Sequence, residues 1–172
     1  MDQKQKRSFI IKNAVYTLLI LCCYLLQEVP SLLELFGVRP MLVAAMVVCI
    51  SMFEGELYGG LYGLVGGLLC DTAAFHFFGI ASVLFLLMGC GCGLLIIHLV
   101  QPNHKTAFLL SGAVSFVYGI ISHYLIYGMW GYDGSAMLIF TKTIPCALYT
   151  AAAGVLFFIL MTRVIRRFTP EE

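Results

Sequence analysis

The chain has 172 residues, of which 61% are hydrophobic and 11% charged, and its mean hydropathy is +0.97. Soluble domains are about 45–50% apolar and about 25% charged, so ten basic and nine acidic side chains cannot furnish a water-facing surface, and lipid must cover most of the protein. A spanning helix takes about 20 residues, so five or six spans leave no room for a nucleotide-hydrolysing domain, and a net charge of +1 indicates no nucleic-acid partner.

The first apolar run extends from Phe9 to Leu26, interrupted by Lys12 and Asn13, where a long side chain can snorkel to the headgroups. Gln27, Glu28, Val29 and Pro30 follow it in place of a small-x-small cleavage site, so the segment reads as an uncleaved signal anchor. Residues 28–40 carry Glu28, Pro30, Glu34, Arg39 and Pro40 and read as a loop, with Leu32 to Phe36 at the interface. Pro40 suits the first turn of the next helix.

Met41 to Phe53 is apolar, Glu54 and Glu56 interrupt the run, and Leu57 to Cys70 resumes it. At 1.5 Å per residue each half covers about 20 Å of a core about 30 Å thick. Three longer runs lack Asp, Glu, Lys and Arg: Phe77 to Val100, Ala107 to Trp130 and Ile144 to Thr162. They are separated by Gln101 to Lys105 and by Gly131 to Lys142, which contains a Tyr132-Asp133-Gly134 turn signal. Tyr127, Trp130 and Tyr132 cluster at one boundary, as aromatic side chains do at headgroup depth.

Charge placement decides between five and six spans. Lys4, Lys6, Arg7 and Lys12 open the chain and Arg163, Arg166 and Arg167 close it. Basic flanks stay in the cytoplasm, so both termini do, and the number of crossings is even. The expected architecture is an all-α integral membrane protein, one multi-pass domain over residues 1–172 with spans at about 9–27, 40–54, 56–71, 77–100, 107–130 and 143–163, the second and third short. Lys105 then lies inside, and Glu28, Glu34, Arg39, Asp71, His76, Asp133 and Lys142 lie outside, Arg39 and Lys142 against the rule.

The most specific local pattern runs from Phe53 to Asp71, where Gly55, Gly59, Gly63 and Gly67 recur every four residues. Helical positions four apart share a face, so the repeat forms a groove without side chains that another backbone can approach closely. Gly60 and Gly66 widen it, and Gly89-Cys-Gly-Cys-Gly93 in the following span offers a counterpart. The groove serves either a neighbouring span or a partner, and Gly63→Leu separates the two: the first predicts a destabilised fold, the second unchanged melting with lost partner capture. Glu54 and Glu56 at the start of the repeat fit a cytoplasmic turn with a carboxylate at a helix N-terminus, or, at depth, the lining of a polar pathway. Asp71 marks the external end of the ladder helix.

No catalytic, cofactor or metal set stands out. Cys22, Cys23, Cys49, Cys70, Cys90, Cys92 and Cys146 lie almost entirely in apolar runs, and Cys90-x-Cys92 has no companion pair. His76, His98, His104 and His123 show no zinc spacing, and Ser111, Ser115 and Ser122 sit in no nucleophile motif. Glu54-x-Glu56, the one acidic pair, lacks the companions an intramembrane protease would need.

The segment Glu54 to Gly93 resembles the rod shape-determining protein MreD family, in its four-residue glycine repeat running into Gly66-Gly-Leu-Leu-Cys-Asp71, in Phe78-Gly-Ile-Ala-Ser-Val-Leu and in the glycine-rich span that follows. The length, six-span layout and basic tails are similar too. The resemblance implies a non-catalytic component of the cell-elongation machinery in the bacterial cytoplasmic membrane, working beside MreC, MreB filaments, and RodA-type and class B penicillin-binding peptidoglycan synthases. A second expectation comes from another class, the substrate-binding subunit of an energy-coupling factor vitamin transporter, which shares the six-span layout. Glu34, Arg39, His76, Trp130, Tyr132 and Asp133 could line its external pocket. Against it, the first span lacks an Ala-x-x-x-Ala contact motif, since Leu18 stands four residues after Ala14.

Overall fold

The computed structural model describes the backbone of residues 3–29, 38–73, 79–124 and 142–168, with side chains for 11–29, 38–73, 79–124, 142–163 and 165. Glu34 and the 32–36 stretch, His76, Phe78, Tyr127, Trp130, Tyr132 and Asp133 lie outside them, as do the ends of the expected spans at 77–78 and 125–130. Among the described residues the fold is all-helical, with six helices: α1 Gln3–Glu28, α2 Leu42–Glu54, α3 Glu56–Ala73, α4 Ile80–His98, α5 His104–His123 and α6 Ile144–Phe168. Three stretches are long and apolar enough to cross a membrane, Ile80–His98, His104–His123 and Ile144–Arg163.

Local chemistry sets the boundaries. Pro40 precedes α2, Pro102 precedes α5, and Pro145 occupies the first turn of α6, where its missing N–H would have no intrahelical partner. α2 and α3 are divided by one residue, Gly55, at φ 85° and ψ −169°. Its N–H still donates to Ser51 O (3.1 Å), and its carbonyl accepts from Gly59 N–H (3.0 Å), so the chain reverses with little loss of backbone bonding. Only glycine takes that φ without a steric cost.

Side-chain pairings fix the helix directions. α1 and α2 are antiparallel, since Lys12 meets Glu54 at one end and Gln27 Oε1 accepts from Val43 N–H (3.3 Å) at the other. α3 runs back along α2, with Tyr62 joining the shared core. α6 runs parallel to α2: Met41 N–H donates to Thr150 Oγ1 (3.0 Å), Cys49 Sγ–H donates to Gly154 O (3.4 Å), and Phe53 stacks on Phe158 with ring centroids 5.2 Å apart. Helices α1, α3 and α5 therefore run one way, and α2, α4 and α6 the other.

The centre of the bundle is α2. Every residue from Leu42 to Met52 is buried, and Val43, Ala44, Ala45, Met46, Val48, Cys49, Ile50 and Ser51 are at 0% exposure. It touches all five other helices. A helix that is apolar all round is at home in such a position, and its 13 residues, about 20 Å long, are sheathed by protein instead of lipid. The outer helices turn large apolar side chains outward, among them Leu57, Leu61, Leu87, Leu109, Leu148 and Leu156. Around α2, α3 pairs with α4 and α5 pairs with α6, and these are the two most extensive helix contacts.

Candidate functional site

The glycine repeat lies against α4. A Cβ at Gly59 would stand 2.9 Å from Gly89 O, one at Gly67 would stand 2.6 Å from Ala81 O and 2.7 Å from Ser82 N, and one at Gly63 would overlap the Phe85 carbonyl. From the other side, a Cβ at Gly89 would stand 2.7 Å from Gly59 C, and one at Gly93 would stand 2.8 Å from Gly55 C and press into the Glu56 backbone. The two backbones touch at four successive rungs, which pair Gly55 and Glu56 with Gly93, Gly59 with Gly89, Gly63 with Phe85 and Gly67 with Ser82, as two antiparallel helices do. Without a hydrophobic drive between helices in lipid, such close dispersion contact is the main source of association.

Gly55 has another task. An added Cβ there would meet only Ile97 Cδ1 at 3.6 Å, so space is available and it is the left-handed φ that requires glycine. Gly66, on the flank, faces Val43 of α2, where a Cβ would come within 2.8 Å. Ser51 of α2 completes the seam by donating to Gly89 O (2.6 Å), which ties the central helix to the α3–α4 pair.

Each acidic residue is held separately. Glu54 forms an ion pair with Lys12 and accepts from the Tyr16 hydroxyl (2.7 Å). The side chains of Lys12 and Glu54 are 29% and 14% exposed, so the pair lies part-way into the bundle, and Lys12 reaches a carboxylate instead of the headgroups. Tyr16 stands edge-on to Tyr62, ring centroids 5.8 Å apart, and Tyr62 donates to Asn13 O (3.3 Å). Glu56 is in the first turn of α3, where its charge faces the positive end of the helix dipole.

Asp71 is 2% exposed near the end of α3, and its carboxylate accepts from Ala81 N–H (3.0 Å), Ser82 N–H (2.9 Å) and the Ser82 hydroxyl. It therefore caps the first turn of α4 from a neighbouring helix, a turn whose own N-cap, Gly79, supplies no side-chain bond. Fifteen residues, about 22 Å of helix, separate Glu56 from Asp71, so the acidic groups sit at opposite ends of α3 and share no site. Among the described residues no group of three His, Cys, Asp or Glu converges as a metal site.

Several contributors carry no local sequence signal. Lys12, Tyr16 and Ser51 meet partners 38 or more positions away. The α5–α6 pair is also built on small residues: a Cβ at Gly112 would stand 3.2 Å from Ala151 Cβ, one at Gly119 would stand 2.6 Å from Thr143 Cγ2, and one at Gly154 would stand 2.7 Å from Ser111 Cβ. The spacing of Gly112 and Gly119, seven residues, was the available clue.

Residues 7–168 match the protein family described as rod shape-determining protein MreD. The chain belongs to the MreD family. No curated protein and no solved structure matches it significantly. Membership makes this a membrane protein of the rod-shape machinery, and MreD proteins are shape-determining structural components. The glycine-lined α3–α4 seam and the buried α2 are thus features of an MreD chain.

Proposed function

We propose that this MreD chain is a non-catalytic scaffold in the bacterial cytoplasmic membrane. It binds MreC and, through that assembly, works with MreB, RodA-type synthases and class B penicillin-binding proteins in peptidoglycan synthesis and rod shape. Family membership together with the backbone-to-backbone seam supports the reading: the chain's specific chemistry is spent on locking helices together. A frame of that kind presents a fixed outer surface to other membrane helices.

All six helices span the bilayer in this reading, as one domain with both termini in the cytoplasm. Support comes from charge placement on the alternating helices. Lys4, Lys6, Arg7, Lys12, Lys105, Arg163, Arg166 and Arg167 occupy positions toward one end of the bundle, and Arg39 and Lys142 toward the other. That asymmetry is the one the positive-inside rule attaches to the cytoplasmic face. The two shortest helices belong at the centre and along its flank, where packing against protein relaxes the length that lipid would demand.

Depleting the chain in a rod-shaped host tests the function. Cells become round and MreC leaves its assembly if the reading is right. Unchanged shape with lost uptake of a single vitamin would instead identify a transporter subunit.

A further inference from the structure

On the outer side of the α5–α6 pair is an apolar groove of about 360 Å³. Gly112, Ala147 and Ala151 form its floor, and Phe108, Phe116 and Leu148 stand up as its walls. We propose that this groove holds one acyl chain of an anionic phospholipid whose phosphate rests at the N-terminal end of α5, against Lys105.

Size suits an acyl chain. From Phe108 to Phe116 the groove is about 12 Å long, which gives 360 Å³ a mean cross-section of about 30 Å². A single hydrocarbon chain fits inside. At about 30 Å³ per group, taking a methylene as the size of a water molecule, the groove takes about a dozen carbons.

Charge selects the headgroup. Lys105, Phe108, Leu109, Gly112, Ala113 and Phe116 recur at helical spacing, so Lys105 lies on the groove's own face of α5, one turn beyond its end, and it is exposed. Asn103, the N-cap of α5, makes no side-chain bond to the first turn, which leaves the positive end of that helix open to an anion. A tail in the groove sets a phosphate beside both. Zwitterionic lipid places the same tail but gains less from Lys105. One lysine near an anionic headgroup is worth about a fivefold preference.

The test is native mass spectrometry of the full chain in detergent with equimolar phosphatidylglycerol and phosphatidylcholine. The wild type should retain one lipid, with phosphatidylglycerol favoured about fivefold. Lys105→Gln should bring the two lipids to near-equal occupancy and Lys105→Arg should keep the preference. Ala113→Phe, which fills the groove from an exposed position, should lose the bound lipid of either kind while its melting stays that of the wild type. Equal retention of the two lipids by the wild type overturns the proposal. So does a preference that survives both Lys105→Gln and Ala113→Phe, or an Ala113→Phe effect confined to association with a second protein chain. None of these results depends on the scaffold reading, which depletion tests separately.

Discussion

Adding one methyl group at Gly63 tests the packing argument at its tightest point. A Cβ there would lie 2.8 Å from Phe85 C and 3.2 Å from Leu86 N and would overlap Phe85 O. These are backbone atoms, so no side chain can swing aside, and α3 and α4 must separate by about 1 Å to restore ordinary contact. A gap of that size forfeits a quarter to a half of each neighbouring contact well, and the rungs at Gly59 and Gly67 share the loss because the helices are stiff. Overpacking costs about 1–3 kcal/mol, and the better helix propensity of Ala returns about 1 kcal/mol. Gly63→Ala should therefore destabilise the protein by about 1 kcal/mol, close to a fivefold shift of the unfolding equilibrium. Gly91 supplies the control, because an added Cβ there meets nothing within 4 Å. Gly91→Ala should leave stability unchanged or raise it by up to about 1 kcal/mol. Sodium dodecyl sulfate titration in mixed micelles, followed by near-ultraviolet circular dichroism, compares the two. Equal midpoints for Gly63→Ala and Gly91→Ala would show that backbone contact at Gly63 does not set the stability of the α3–α4 pair.

Asp71→Ala should cost about 2–4 kcal/mol in the same titration, because it strands the buried Ala81 and Ser82 N–H groups. Asp71→Asn should recover part of that loss, since its carbonyl can still accept one bond. Lys12→Met alone should destabilise by about 1–2 kcal/mol, and Lys12→Met with Glu54→Gln should come back to within about 1 kcal/mol of the wild type, because a lone half-buried charge is worse than none. Gly55→Ala should cost about 1–3 kcal/mol through the backbone alone, because φ 85° with ψ −169° is a region confined essentially to glycine, and Gly55→Asn should cost as much, since asparagine tolerates positive φ only near the left-handed helical ψ.

The α2–α3 division and the glycine face could be read from the sequence because both are local. Glu54, Gly55 and Glu56 interrupt an apolar run, and a four-residue period of glycines has one geometric meaning on a helix. The central position of α2 could not be read. In water an all-apolar helix is marked as buried by contrast with its amphipathic neighbours, but in lipid the outer helices are apolar all round as well. Leu42 to Met52 and Ile80 to His98 therefore look alike in hydropathy, although one is sheathed by protein and the other faces outward at Val83, Leu87 and Ile97. Lys12, read locally, has only the headgroups to reach. Its pairing with Glu54 arises from the antiparallel return of α2, 42 positions away in sequence and visible only once the helices are packed. Asp71 reads as a helix end and is also a cap, for a helix that begins nine residues later.

In the proposed function the chain acts by holding membrane proteins together through a locked helical frame. Capture of MreC by the affinity-tagged chain from a rod-shaped host, compared between wild type and Gly63→Leu at matched membrane abundance, tests it most directly. The wild type should recover MreC and support rods, and Gly63→Leu should melt earlier, recover little MreC and leave round cells. A Gly63→Leu chain that melts earlier yet recovers MreC and restores rods in full would contradict it.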